Sequence, residues 1–162
     1  MNTQQLQTLK AYIESEPALA AKPMTMDGAY EIAEVINQVT TPDYIVWKTK
    51  VTWDEIMENG MDFTRVDNLT NGSKWRIWEW LFKNSNNSMN PSKTNHRAGI
   101  DASWVGTAQD LAVRASIYVH CKRKATTFEK VLATGSGTDA SPSTMGLEGP
   151  VSYQDVHAAR IS

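Results

Sequence analysis

The side chains best suited to chemistry are few in this sequence. There is one cysteine, Cys121, and there are three histidines, His96, His120 and His157. Helical metal sites place their ligands three or four residues apart, because only such side chains share a face. None of the histidines has a second ligand at i+3 or i+4. His120 and Cys121 are adjacent inside a helical pattern, so their side chains diverge by about 100°. A Cys–His nucleophile pair also needs a third group to orient it, and the pattern indicates none. A single cysteine leaves no internal disulfide and no cysteine metal cluster. Thr134-Gly-Ser-Gly-Thr has the glycines of a phosphate-cradling loop, but it follows a helix pattern and lacks the Gly-Lys-Ser/Thr ending. The acidic pairs Glu14/Glu16, Glu31/Glu34 and Asp54/Glu55 lie on surface-like helical faces and read as solubility and capping groups. The expectation is a protein that is not an enzyme, with no catalytic residue, no cofactor and no metal.

Two patterns raise nucleic acid as a partner. Trp75, Trp78 and Phe82, beside Lys74, Arg76 and Lys83, have the composition of a base-stacking surface. Their spacing, however, is that of a helix face turned to a core, and burial is the expectation. Residues 92–123 have the outline of a helix-turn-helix with its turn at Val105-Gly106-Thr107. Ala112, Val113, Ala115, Ile117 and Val119 leave the second helix little polar surface with which to read a groove.

The elements that carry these residues are mostly helical. A first helix spans 3–15, with Thr3 as cap, Leu6, Leu9 and Ile13 inward, and Pro17 ending it. Residues 17–26 form a linker. Asp27 caps a second helix through about Gln38, with Ala29, Ile32, Ala33 and Ile36 as its stripe and Tyr30 and Val35 widening it. Tyr44 to Val51 is β-favouring and extended, with Lys48 and Lys50 opposite Trp47, Thr49 and Val51. Lysines suit a strand edge that must avoid stray pairing. Thr52 and Glu55 form a capping box, and Gly60 stops that helix. Residues 61–72 form a connection with a turn at Asn71-Gly72. Ser73 caps a helix to Lys83, and Asn90-Pro91 starts another to Val105. Gly106 interrupts, and Thr107 with Asp110 restarts a helix that Lys122, Arg123 and Lys124 close at its negative end. Thr126 or Thr127 caps a short helix to about Ala133. Residues 134–150 are dense in Gly, Ser, Thr and Pro, and Ser152 to Arg160 resumes a helix. The predicted organisation is a mainly α fold: a helical core over 1–133, with one short extended segment, and a long C-terminal arm over 134–162.

Composition and charge bound the function. The chain of 162 residues is 41% hydrophobic and 21% charged, which places it among folded rather than disordered sequences. No apolar run reaches the ~20 residues of a bilayer span, so no membrane partner is expected. The polar start, Met-Asn-Thr-Gln-Gln-Leu-Gln, shows no basic-then-apolar leader, and a cytoplasmic origin is the expectation. The net charge of −2 is unevenly spread. Residues 1–60 hold 4 basic and 9 acidic side chains; residues 61–162 hold 12 and 9. Such asymmetry suits ordinary solvated faces, and it also suits head-to-tail association of copies into rings or filaments.

The string as a whole carries a resemblance. Its order is Asp27-Gly-Ala-Tyr-Glu-Ile-Ala-Glu-Val-Ile-Asn, then Trp47-Lys-Thr-Lys-Val-Thr-Trp-Asp-Glu-Ile, then the Trp75–Phe82 helix, then Asn90-Pro-Ser and Asn95-His-Arg-Ala, and last Val151-Ser-Tyr-Gln-Asp-Val. In this it resembles a family of small proteins in the structural modules of tailed bacteriophages. The resemblance implies a virion protein of the neck: a head–tail connector or adaptor that forms a homo-oligomeric ring of about twelve copies between portal and tail. The implied partners are further copies of itself, the portal protein, and a tail or nozzle protein, with passing contact to packaged DNA. A tail-completion or terminator subunit, or a small phage DNA-binding or regulatory protein, is the alternative. The interface residues expected are Trp47, Lys48 and Lys50 for strand-type contacts, Lys122, Arg123 and Lys124 for an acidic partner, and Tyr153 in the closing helix.

Overall fold

A computed structural model of the chain describes residues 1–58, 61–69, 73–84 and 86–162, and the side chains at 63, 67, 68 and 73 stand outside that description. Gly60 as a helix stop, the Asn71-Gly72 turn and the Ser73 cap therefore lie outside the described residues. The described helices are α1 (Thr3–Ser15), α2 (Pro17–Ala20), α3 (Met26–Ile36), α4 (Trp53–Met57), α5 (Phe63–Asn68), α6 (Ser73–Phe82), α7 (Thr94–Ser103), α8 (Ala108–His120), α9 (Thr127–Val131) and α10 (Tyr153–Ile161). The strands are β1 (Ile45–Trp47), β2 (Val51–Thr52), β3 (Ser88–Met89) and β4 (Lys122–Lys124). Helix makes up 53% of the chain and the sheets have two strands each, so the fold is mainly α.

Two compact units divide the chain. Unit 1 holds Met1–Val46 and Lys124–Ser162; unit 2 holds Trp47–Arg123. The unit boundaries fall inside β1 and inside β4. The boundary expected at 133/134 falls inside unit 1.

Unit 1 packs α10 against α3 and α1. Leu9, Ile13, Ile32, Ile36, Phe128, Val156 and Ala159 form its core. The caps of α1 and α3 fall one and two residues before the expected ones. Asn2, rather than Thr3, caps α1: its Oδ1 accepts from Gln5 N–H at 2.8 Å, and Gln5 Oε1 accepts from Asn2 N–H at 2.9 Å. Thr25, rather than Asp27, caps α3 by accepting from Gly28 N–H at 3.2 Å. Pro17 starts a short helix within the expected linker, since a proline at the first turn has no amide to leave unpaired.

Residues 134–151 are built into unit 1 by backbone hydrogen bonds. Thr134 and Thr144 exchange N–H···O bonds of 2.9 and 3.0 Å. Ile45 N–H donates to Gly137 O at 2.7 Å, and Ser143 N–H donates to Ile45 O at 2.9 Å. Asn37 holds Val151 through both of its amide atoms, at 2.9 and 3.0 Å. Gly137 has φ +66, and a Cβ there would stand 2.1 Å from the Tyr44 ring, so glycine is required on both counts. A segment poor in hydrophobics is thus ordered by main-chain pairing, which composition does not report.

Unit 2 is organised around aromatics. Trp78 meets Trp104 edge-on at 5.4 Å and Phe82 at 5.1 Å, while Trp53 meets Phe82 at 4.9 Å. Trp78, Trp104, Ile100 and Ile117 are buried completely or nearly so. β2 pairs antiparallel with β3, Val51 opposite Met89 and Thr52 opposite Ser88. The expected connection over 61–72 contains α5. α7 begins at Thr94 rather than at Pro91, because Asn90 Oδ1 accepts from Ser92 N–H at 3.0 Å and closes a turn instead of a helix cap. Lys122, Arg123 and Lys124 do not close α8; they are strand β4, and Cys121 ends the helix.

Candidate functional site

The interface residues expected from the sequence are largely engaged within the chain. Lys48 N–H donates to Cys121 O at 2.9 Å, and Lys48 O accepts from Ser92 N–H at 3.2 Å. Its ammonium sits 3.2 Å from Glu55. The strand edge expected to meet a partner is therefore already paired in unit 2. Trp47 is half-buried, with the Arg97 guanidinium 4.9 Å over its ring and Tyr118 at 5.5 Å. Lys50 is exposed. Lys122 and Arg123 are half-buried, whereas Lys124 is exposed and pairs with Asp43 at 2.7 Å. Successive strand side chains point to opposite faces, so the three charges do not form one basic face.

Tyr153 is 37% exposed at the start of α10 and meets Tyr30 of α3 edge-on at 6.3 Å. Tyr30, Met24 and Met26 are also exposed. Tyr30 stood at the margin of the α3 stripe in the sequence, and that marginal position is the signal that it is available at the surface.

The groups with chemical potential do not converge. Among the described residues no three His, Cys, Asp or Glu side chains are grouped to hold a metal. Cys121 is fully buried, and burial pushes its thiol up to about 12, which disfavours the thiolate a nucleophile needs.

A groove of about 400 Å3 lies between α6 and α7 of unit 2, lined by Arg76, Ile77, Trp80, Leu81, Asn95, His96 and Gly99. α6 carries aromatic or aliphatic residues nearly all round, and it turns Trp78 and Phe82 inward. That leaves Trp80 outside, 70% exposed, one turn beyond the exposed Arg76. Gly99 allows α7 to approach, since a Cβ there would stand only 3.0 Å from Leu81 Cδ2. His96 Nδ1 accepts from Asn90 N–H at 3.1 Å. That bond places the ring proton of the neutral imidazole on Nε2. Burial, helped by Lys93, lowers the His96 pKa and keeps the ring neutral near pH 7. In the sequence Trp80 only adds to the apolar girth of this helix. Trp80 falls outside the Trp75/Trp78/Phe82 spacing, and that was the available sign. Unit 1 has a more polar cleft lined by Tyr12, Glu16, Thr40, Thr127 and Lys130 among others.

Comparison with protein-family models, curated proteins and solved structures found no match to this chain.

Proposed function

We propose that this protein is a non-enzymatic assembly subunit of a tailed-phage neck, a connector that forms a ring between portal and tail. One observation carries the assembly part of this reading: the charge asymmetry follows the structural units. Unit 1 holds 5 basic and 10 acidic side chains, a balance of −5, while unit 2 holds 11 basic and 8 acidic, a balance of +3. Unit 1 of one copy therefore attracts unit 2 of the next. Such heterologous contacts close into a ring when the rotation between copies allows it. The exposed Tyr153, Tyr30, Met24 and Met26 add the aromatic and Met-rich surface that interfaces favour. Because residues 134–162 and Lys48 are engaged within the chain, surfaces rather than an exchanged arm carry the contact. The phage assignment rests on the sequence resemblance.

The test is the mass of the purified chain, alone and mixed with a portal ring, at about 0.05 M and about 1 M salt. The expected result is a ring-sized species, formed alone or on the portal, that dissociates at high salt. A monomer under all four conditions would refute the proposal.

A further inference from the structure

We propose that the α6–α7 groove of unit 2 binds a nucleobase together with its phosphate, the base stacked on Trp80 and the phosphate held by Arg76. Three observations lead there. First, Trp80 is 70% exposed on the wall of a defined groove, where an indole face offers a stacking platform. Second, the polar lining is rich in donors. Arg76, Asn95 and His96 all bring N–H groups, and among the described residues no carboxylate lines the groove. His96 contributes through Nε2, because Nδ1 is occupied by the Asn90 amide. Third, Ile77 and Leu81 add apolar side chains to the lining, and unit 2 carries the positive balance of the molecule.

A donor-rich rim selects a ligand rich in acceptors. Thymine and uracil present two carbonyl oxygens each, and the phosphate presents anionic oxygens to the guanidinium one turn from the indole. A purely apolar peptide helix would make no use of the Arg76, Asn95 and His96 donors, so the nucleotide fits this lining better. The groove lies in unit 2, whose positive balance the ring proposal also uses, so nucleotide binding and self-association are read out separately.

The experiment titrates the full chain against a fluorescein-labelled oligothymidylate of about twelve nucleotides, read by anisotropy at several salt concentrations. Trp80→Ala is expected to weaken binding about tenfold and Trp80→Phe less, because a smaller ring retains part of the stacking. Arg76→Ala is expected to weaken binding and to lower the salt slope by about one. Lys50→Ala, an exposed charge outside the groove, is expected to change affinity by less than about twofold. Competition by free thymidine monophosphate would assign the groove to a nucleotide; competition by longer strands alone would assign it to single-stranded nucleic acid. Absence of oligothymidylate binding overturns the inference. So does binding that Trp80→Ala leaves intact, or binding that Lys50→Ala weakens as much as Arg76→Ala does. A Trp80→Ala chain that loses self-association while its oligothymidylate binding is unchanged overturns it too, in favour of a second copy in the groove. The mass measurements of the native chain remain a separate readout, so the two proposals fail independently.

Discussion

Asp110 shows how much one side chain fixes in unit 2. Its Oδ1 accepts from Arg65 Nε at 3.2 Å and Nη2 at 2.7 Å, and its Oδ2 accepts from Thr107 N–H at 3.1 Å. The carboxylate thus completes the α8 capping box and ties α5 to the start of α8. The Arg65 hydrogen bonds, with those from Thr107, hold its pKa at about 2 against an ordinary 3.8. A depressed carboxylate pKa contributes stability that is fully present above the unfolded value and is lost as pH falls through the folded one. Asp110→Ala is therefore expected to cost about 2 kcal/mol near neutral pH, in urea unfolding followed by tryptophan fluorescence. The difference should shrink between pH ~4 and pH ~2. A constant difference across that window would show that the charge plays no part. Cys121 gives a second residue-scale prediction. Its thiol is buried and pushed up to about 12, so Ellman's reagent at pH ~8 should leave it unmodified in the native chain and label it fully once urea unfolds unit 2. Rapid labelling of the folded protein would contradict the packing described.

At the scale of elements, α10 decides whether the C-terminal region is an arm or a part of the body. Val156 and Ala159 are fully buried among Leu9, Ile13 and Ile32, and Arg160 donates to the carbonyls of Lys22 and Pro23 at 2.7 Å each. Val156→Asp places an unpaired carboxylate in that core and is expected to cost about 3 kcal/mol or more, measured by circular dichroism melting. Amides 154–161 should exchange slowly in the native chain. A silent Val156→Asp with fast exchange would restore the exchangeable arm. Helix starts show where sequence reading succeeds. The boxes at Thr52/Glu55 and Thr107/Asp110 were legible, because both partners lie three residues apart and the geometry is local; at α9 the sequence left Thr126 and Thr127 open as cap, and Thr126 takes it in a box with Glu129. The mainly α fold follows from the same local patterns. Lys122–Lys124 was misread because its strand character comes from pairing with a segment about 75 residues away, and the basic run imitates a helix end equally well. Residues 134–151 were misread for a related reason: their order comes from distant carbonyl and amide partners, while their composition resembles a linker. In the candidate groove Arg76 was visible as a charge. The exposure of Trp80 depends on which flank of α6 packs inward, and the apolar girth of that helix hides the choice.

The molecule as a whole carries two separate cores, and its chromophores happen to label them. All six tryptophans and Cys121 lie in unit 2, whereas tyrosines 12, 30, 44 and 153 lie in unit 1. Among the described residues the core around Trp78 and the core around Ile32 share none. Tryptophan fluorescence consequently reports the unfolding of unit 2, while far-ultraviolet circular dichroism sums the helices of both units. Ile32→Ala removes a fully buried side chain from unit 1 and is expected to destabilise that unit by about 3 kcal/mol. Its signature is a lower urea midpoint in circular dichroism with an unchanged midpoint in fluorescence. Ile100→Ala, equally buried in unit 2, should lower the fluorescence midpoint directly. If the two substitutions instead move both signals together and by equal amounts, the chain unfolds as one cooperative body. The charge partition would then be a property of that single body. If the signals separate, the acidic and basic units are distinct folding entities.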